Sequence, residues 1–437
     1  MQEKPGEKAA EEDLKNKPKS EYKAEWVMER DKAIADTNKG RECILITGSS
    51  GLLGHALSHH FGSQGYQIVG LDQAGPPYPP PNTDCLFCDL TDDESVQKTF
   101  FMVRTLYGKK IKAVLHLAAY YSFSGKESNL YQELTVRGTE RLLRELQNFD
   151  VGQFIFSSSM LLYKPNEKGE KLNEESEIAP TWEYPQSKQD TETLIKERRG
   201  HIPAVILRIA GVYNDVCQSI PVANQIQRIY EHKLEGHVYS GDVDVKQSFV
   251  HLDDVISAFE LCTKNADKLP RYSVFNIGES DAMTYDDMQR MIARELFDEP
   301  WPTIEVPKPI AKVGAWVEDK LPLPEKPFIK PWMIDRADDN YELDISKAQR
   351  ELGWTPQHSL RTTLPKMLEG LKLDPARWYK LNHLQGAEHA DSHKIKPANE
   401  KNEERKTGGL LPNPNPENQT PLLPPPSAAD NSENKVA

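Results

Sequence analysis

Residues 43–57 read CILITGSSGLLGHAL. An apolar run, Cys43 to Thr47, passes directly into Gly48-Ser49-Ser50-Gly51-Leu52-Leu53-Gly54, and beyond it Leu53, Leu57, His60 and Phe61 take up helical spacing. A buried strand, a tight turn and a helix start in that order leave backbone N–H groups facing outward where an anion can sit. Glycines at 48, 51 and 54 permit the turn, let a pyrophosphate approach the backbone and let the helix pack close on the strand. Gly48, Gly51, Leu52, Leu53 and Gly54 are therefore the candidate cradle for a dinucleotide. The next apolar run, QIVGLD (67–72), ends in Asp72, 24 residues after Gly48. A carboxylate there accepts hydrogen bonds from both ribose hydroxyls of NAD and repels the 2′-phosphate of NADP. Neither Ser49 nor Gln73 offers a cation to reverse that preference. The expected cofactor is NAD.

Outward from this turn the pattern repeats. AVLHLAA (113–119), QFIFSSS (153–159) and AVILRIAG (204–211) are short apolar runs that suit strands buried on both faces. Between them DDESVQKTFFMVRTLYG, NLYQELTVRGTERLLRELQ and SKQDTETLIKERR carry helical spacing. The expected fold class is α/β, a doubly wound parallel sheet with helices on both sides. The connection QAGPPYPPPNT (73–83) is an exception, because its prolines exclude a helix. After about 212 the alternation becomes irregular, with helical runs at 219–232, 252–264 and 284–297. The organisation expected is a flexible charged segment at 1–40, a coenzyme domain at 41–212, a smaller substrate lobe at 213–384 interleaved with the sheet, and a tail at 385–437. That tail has eight prolines, seven asparagines and no aromatic residue, a composition that cannot bury enough surface to order itself.

Two further strand ends lie on the same edge. Asp89-Leu90 is placed to hold the adenine amino group, although a carboxylate there also suits a helix N-cap. Leu117-Ala118-Ala119 offers small side chains against which a cofactor can lie, and His116 just before them reads as a packed, satisfied histidine. The chemistry is assigned to Ser159, Tyr184 and Lys188. Tyr184 and Lys188 are four apart and share a helix face. A buried ammonium beside the phenol is expected to lower its pKa from about 10, so that it exchanges a proton with a substrate hydroxyl while hydride moves to or from nicotinamide. Ser159, 25 residues before Tyr184 at a strand end, orients the same oxygen. Met160, Leu161, Leu162, Tyr120 and Tyr121 suggest an apolar substrate wall.

The 437 residues carry 54 Lys+Arg against 67 Asp+Glu, a formal charge of −13. The acidic balance without a basic patch points away from nucleic acid, and no apolar run is long enough to span a membrane. The first residues, MQEKPGEKAAEEDLKN, lack the apolar stretch of a secretory signal. Five cysteines, an odd number, fit free thiols in a reducing, cytoplasmic setting. Cys85 and Cys88 lie three apart on a strand and face opposite ways, so no metal site is expected from them.

Taken in order, TGSSGLLG, Asp72, Asp89-Leu90, HLAA, SSSMLLY and YPQSK resemble the extended short-chain dehydrogenase/reductases, the NAD-dependent epimerase/dehydratase group. The likeness continues through LRIAGVY (207–213), SFVHLDDVISAF (248–259), VFNIGES (274–280) and DISKAQRELGWTP (344–356). It implies a Rossmann-type sheet with a smaller C-terminal substrate-binding lobe. It also implies Tyr184 as acid/base, Lys188 as its activator and nicotinamide-ribose ligand, and Ser159 as the third member. The substrate it implies is a small alcohol or ketone, and a homodimer paired through helices near 127–147 and 184–199 is characteristic of the group. Nucleotide-sugar members resemble this chain but usually carry Asn where Gly211 stands and Arg where Gln247 stands. Lys246 is one residue displaced and aims the other way. The 4,6-dehydratases place Asp-Glu where Met160-Leu161 stand here, which disfavours dehydration. The main expectation is an NAD-dependent oxidoreductase or redox epimerase acting on a secondary alcohol or its ketone, a sugar nucleotide being one candidate. The alternatives are a dehydrogenase resembling the 3β-hydroxysteroid type and a non-catalytic NAD-binding scaffold.

Overall fold

The computed structural model describes residues 40–75, 79–122, 127–312, 329–387 and 390. The expectations for the charged N-terminal segment and for the Pro/Asn-rich tail beyond 390 lie outside the described residues.

Seven parallel strands form the central sheet: β1 (Cys43–Thr47), β2 (Gln67–Asp72), β3 (Thr83–Phe87), β4 (Ala113–His116), β5 (Phe154–Ser159), β6 (Ala204–Ile209) and β7 (Tyr272–Ile277). Their order across the sheet is 3-2-1-4-5-6-7. The chain leaves β1 in one direction to build β2 and β3, then returns to the other side of β1 to build β4. The gap between β1 and β4 is therefore a switch point, where the two sets of connections part and leave a crevice at the C-terminal strand ends.

The strands are apolar because both faces are covered. Ile44 and Ile46 pack with Leu57, Phe61 and Leu115 on one side, while Cys43 and Leu45 pack with Val96, Phe100 and Val114 on the other. Each fully buried Leu or Ile contributes roughly 1.5–3 kcal/mol, so two covered faces supply most of the driving force. Helices α1 (Leu52–Ser63), α2 (Asp93–Tyr107), α3 (Arg137–Leu146) and α4 (Glu183–Arg198) belong to these layers. A π-helical turn, Tyr131–Val136, precedes α3. Of the proline-rich connection, residues 73–75 and 79–82 are non-helical.

β7 comes from the second half of the chain yet completes the sheet beside β6. The rest of that half gathers round a third core built from Tyr213, Ile226, Ile292, Leu364 and Trp378. That half supplies helices α5 (Ile220–Tyr230), α6 (Leu252–Lys264), α7 (Tyr285–Phe297), α8 (Pro331–Ile334), α9 (Leu360–Leu373) and α10 (Pro375–Leu381). Of these, α5, α7, α9 and α10 build the third core, whereas α6 packs Val255, Phe259 and Cys262 into the sheet core with Leu57 and Phe61. The segments HLDD and LGW do local work here. His251 caps α6 by accepting from the Asp253 amide, and the Trp354 indole donates to the Asp254 carbonyl at 2.9 Å.

Candidate active site

The glycine turn is fixed by backbone contacts. Gly48 has φ +68°, and a Cβ there would lie 3.0 Å from the Ala118 nitrogen. At Gly54 a Cβ would come within 2.1 Å of the Gly48 carbonyl oxygen, so α1 reaches the loop only because residue 54 has no side chain. No side chain caps α1, and its opening amides, Leu52 to Gly54, have no carbonyl one turn earlier within the helix to bond. Ser49 Oγ is buried without a partner. Asp72 ends β2 and braces the loop: one oxygen accepts from the Ser50 amide at 2.9 Å, the other from the Gln73 amide at 2.8 Å. Each carboxylate oxygen keeps a lone pair for a further donor. An uncapped helix start, an orphaned hydroxyl and a half-used carboxylate suit the pyrophosphate and ribose of NAD.

Asp89 follows β3. Burial opposes its charge, but the Thr91 hydroxyl and amide, Gln73 and Arg141 together hold its carboxyl below the ordinary range. The cap of α2 is Asp92, which accepts from the Glu94 and Ser95 amides, so the capping alternative for Asp89 is corrected in favour of a residue three further on. Leu90 is buried beside Gly138. Leu117, Ala118 and Ala119 are all buried at the end of β4.

His116 is fully enclosed. Thr139 Oγ1 donates to the Thr135 carbonyl, so it must accept from His116 Nε2 at 2.7 Å. Thr47 Oγ1 accepts from the Leu117 and Ala118 amides and directs its own proton to His116 Nδ1 at 2.7 Å. The ring is thus neutral with its proton on Nε2, and burial followed by the Lys188 charge pushes its pKa down to about 3. This histidine ties β1 to β4 and is not a proton carrier.

Ser159, Tyr184 and Lys188 meet at the neighbouring strand end. Ser159 Oγ accepts from the Leu161 amide at 3.2 Å and forms a hydrogen bond with Tyr184. Lys188 is 3% exposed, donates to the Ser157 carbonyl at 2.8 Å, and lies 4.8 Å from the centre of the Phe156 ring and 5.7 Å from that of Tyr184. One expectation is corrected. Burial pushes the Tyr184 hydroxyl up to about 12, against the pull of Ser159, and pushes the Lys188 ammonium down to about 7, against the pull of Glu192. In the protein by itself, burial disfavours both charges and outweighs their mutual attraction.

Two residues that the sequence pattern did not single out hold this helix in place. Glu192 lies four after Lys188 and eight after Tyr184, on the same face of α4. It binds Arg208 of β6 through two contacts, 3.2 and 2.7 Å, and accepts from Ser158 Oγ at 2.5 Å. Arg208 continues to the Tyr163 hydroxyl at 2.9 Å. Carrying the four-residue spacing one step further would have found Glu192.

An aromatic layer covers the tyrosine. The Tyr121 ring lies edge-on to Tyr184 at 4.6 Å, Trp182 lies 5.5 Å from it, and Trp332 of α8 lies 5.2 Å from Trp182. Trp182 and Trp332 are additions to the expected wall. Met160 and Leu162 are corrections to it: both are buried in the core beneath the sheet edge. Cys85 in β3 is exposed and Cys88, one residue past the end of the strand and not on it as expected, is buried; both are free.

The sequence profile of the NAD dependent epimerase/dehydratase family matches residues 44–278, more than half the chain. The chain belongs to that family. Its cofactor is NAD, and the crevice described above fits it. A 3-beta-hydroxysteroid dehydrogenase of Mycolicibacterium neoaurum is 23% identical over 357 residues, covering 77% of this chain and 91% of the relative. The solved UDP-glucose 4-epimerase of Thermotoga maritima, with UDP-glucose, has a TM-score of 0.57 at 24% identity, covering 76% of this chain and 99% of the epimerase. WbmG of Bordetella bronchiseptica, in complex with NAD, gives 0.57 at 20% identity, covering 78% and 95%. Among the described residues no helix is long and apolar enough to cross a membrane.

Proposed function

We propose that this chain is an NAD-dependent oxidoreductase that interconverts a secondary alcohol and its ketone, with Tyr184 as the acid/base. The observation that supports it is the convergence of Ser159, Tyr184 and Lys188 on the strand end next to the glycine turn. A continuous set of contacts links the two: Thr47 to His116, the His116 carbonyl to Ser157 Oγ at 3.3 Å, and the Ser157 carbonyl to Lys188. NAD supplies the two-electron partner, so that oxidation of the alcohol gives up a hydride to the coenzyme and a proton to the protein.

Tyr184 takes that proton from the substrate hydroxyl. Ser159 Oγ accepts from the Leu161 amide and bonds the Tyr184 hydroxyl, which leaves it one further hydrogen-bonding position to hold the substrate oxygen beside the phenol. Lys188 keeps two N–H groups beyond the one given to Ser157, and these are available to the nicotinamide ribose. Because burial raises Tyr184 and lowers Lys188, the phenolate would need added positive charge, which an oxidised nicotinamide ring held beside these residues would supply. Residues 41–212 carry the coenzyme in this reading, and residues 213–384 carry the substrate.

A redox epimerase performs the same half-reaction and returns the hydride to the other face. The relative solved with UDP-glucose favours keeping this second reading. Incubation of the purified protein with NAD and a panel of secondary alcohols, followed at the NADH absorbance, separates the two. A dehydrogenase accumulates NADH, whereas an epimerase forms product without net NADH.

A further inference from the structure

The smaller lobe carries a half-open cavity of about 650 Å³, within the range of small-molecule sites. Its walls are apolar: Val222, Val245, Phe249, Met283, Met288 and Ile334 line it. It begins next to the aromatic layer over Tyr184. The short helix α8 gives Trp332 to that layer and the next two residues, Met333 and Ile334, to the cavity.

At the two positions where nucleotide-sugar members usually carry Asn and Arg, the side chains here do not face a diphosphate. A Cβ at Gly211 would lie 2.8 Å from the Phe249 ring, so that ring fills the space where a side chain at 211 would project. Gln247 reaches the wall, but its amide nitrogen donates to the Asp339 carbonyl at 2.7 Å. Lys246 turns away from the cavity and pairs with Glu342 at 3.0 Å.

Among the described lining residues only two are charged, Arg228 and the exposed Glu235 at the rim. Arg228 has neutral partners: its guanidinium donates to Gln225 Oε1 and bonds Tyr285. Its Nε is buried with no partner, and among the described residues no carboxylate lies within ion-pair distance of it. Gln225 is itself held by Gln289 at 2.7 Å and by the Tyr285 hydroxyl at 2.6 Å, so the guanidinium is kept in position. A partly buried cation without a counter-charge is costly, and a compact anion delivered by a ligand offsets that cost with charge-assisted hydrogen bonds.

We propose that the substrate is an amphipathic hydroxy acid, with its apolar body in this cavity, its carboxylate at Arg228 and its secondary alcohol toward Tyr184. The proposal rests on the oxidoreductase reading above and adds the substrate class to it.

A matched pair of probes tests it with the full chain: a 3-hydroxysteroid carrying a side-chain carboxylate, and its methyl ester. UDP-glucose serves as the polar competitor. The acid is expected to be oxidised with a KM about 10- to 100-fold below that of the ester at similar kcat, the span of a hydrogen bond to a charged group. Arg228→Gln should erase that difference by raising the KM of the acid alone, and Arg228→Lys should restore part of it. Direct binding, read as quenching of intrinsic tryptophan fluorescence with NAD present, should follow the same order. Equal handling of acid and ester by the wild type overturns the proposal, as does failure to bind either steroid or selective turnover of UDP-glucose. In the last case the redox reading survives, because NADH-linked chemistry is still seen. Undiminished turnover by Tyr184→Phe overturns the redox reading instead.

Discussion

At the sheet edge the decisive contacts are made by backbone: Gly54 lies against the Gly48 carbonyl, Gly48 against the Ala118 nitrogen, and Asp72 against two amides. In the smaller lobe the cavity wall is made by side chains from well-separated segments, including Val222, Phe249, Met283 and Ile334. A backbone contact admits one residue type at each point, because any added atom meets a group that cannot move. An apolar wall admits several residue types of similar size. The two regions should therefore respond to substitution in different ways, and the contrast can be broken or sharpened experimentally.

The largest difference should come from the phenol. Tyr184→Phe keeps the aromatic packing against Tyr121 and Trp182 and removes only the hydroxyl. Positioned proton transfer contributes about 10²- to 10⁴-fold, so kcat should fall by that factor while NAD affinity changes less than about twofold. Steady-state kinetics beside a coenzyme titration give both numbers. A loss of turnover matched by a loss of NAD binding would mean that the residue acts only on coenzyme docking.

Next in size are two glycines, one in the coenzyme turn and one behind the cavity wall. In Gly54→Ala the new methyl meets backbone at 2.1 Å, and overpacking against a fixed group costs about 1–3 kcal/mol. That cost should appear as weaker NAD binding, a lower unfolding midpoint, or both. In Gly211→Ala the methyl meets a side chain, the Phe249 ring at 2.8 Å, and that ring borders the cavity. Stability should change by less than about 1 kcal/mol and NAD binding hardly at all, while KM for the substrate shifts. Comparable NAD affinities for the two variants would remove the contrast between the glycine turn and the cavity wall.

A smaller effect is expected at Asp72. Asp72→Asn preserves shape and one acceptor but removes the charge that opposes a 2′-phosphate. Affinity for NADP relative to NAD should rise by about tenfold, within the range for hydrogen bonds to charged groups. Paired titrations with NADH and NADPH measure the ratio, and an unchanged ratio would show that the carboxylate serves only to brace Ser50.

The same distinction explains what the sequence disclosed. The parallel sheet, the glycine turn and the meeting of Ser159, Tyr184 and Lys188 were legible because each rests on local spacing: short apolar runs alternating with helical ones, a glycine triplet, a four-residue helical step. Trp332 was not legible, because it reaches Trp182 across 150 positions of chain and nothing near either residue records the meeting. Arg228 was missed for another reason. It reads as one polar residue on an amphipathic helix, and only the fold reveals that its partners are all neutral. The assignment of Met160 and Leu162 to the substrate wall failed because apolar residues at a strand end can turn to the crevice or to the core, and a short 3₁₀ turn, Met160–Leu162, carries both into the core. The expected pKa of Tyr184 failed in direction: attraction between two groups was counted without the burial that disfavours both charges.

Burial of charge also gives the two regions opposite responses to pH, and this is the finest of the tests. Lys188, at the sheet edge, is pushed from 10.5 down to about 7. Glu279, packed in the lobe under the amide of Leu360, is pushed from 4.5 up to about 8, burial being the main cause and Asp281 and Asp254 adding to it. Between pH 7 and 10.5 the unfolded chain holds a proton on Lys188 that the folded protein has released, so this residue's contribution to stability rises with pH. Between 4.5 and 8 the folded protein holds a proton on Glu279 that the unfolded chain has released, so that contribution is present at low pH and is lost as pH rises through about 8. Each slope is at most about 1.4 kcal/mol per pH unit. Urea denaturation of the wild type, Lys188→Met and Glu279→Gln at closely spaced pH values isolates them by difference. The wild type should gain on Lys188→Met from pH 7 to 10 and lose ground to Glu279→Gln from pH 5 to 8. Parallel curves for either pair would mean that the group titrates normally and that water reaches it in the folded protein.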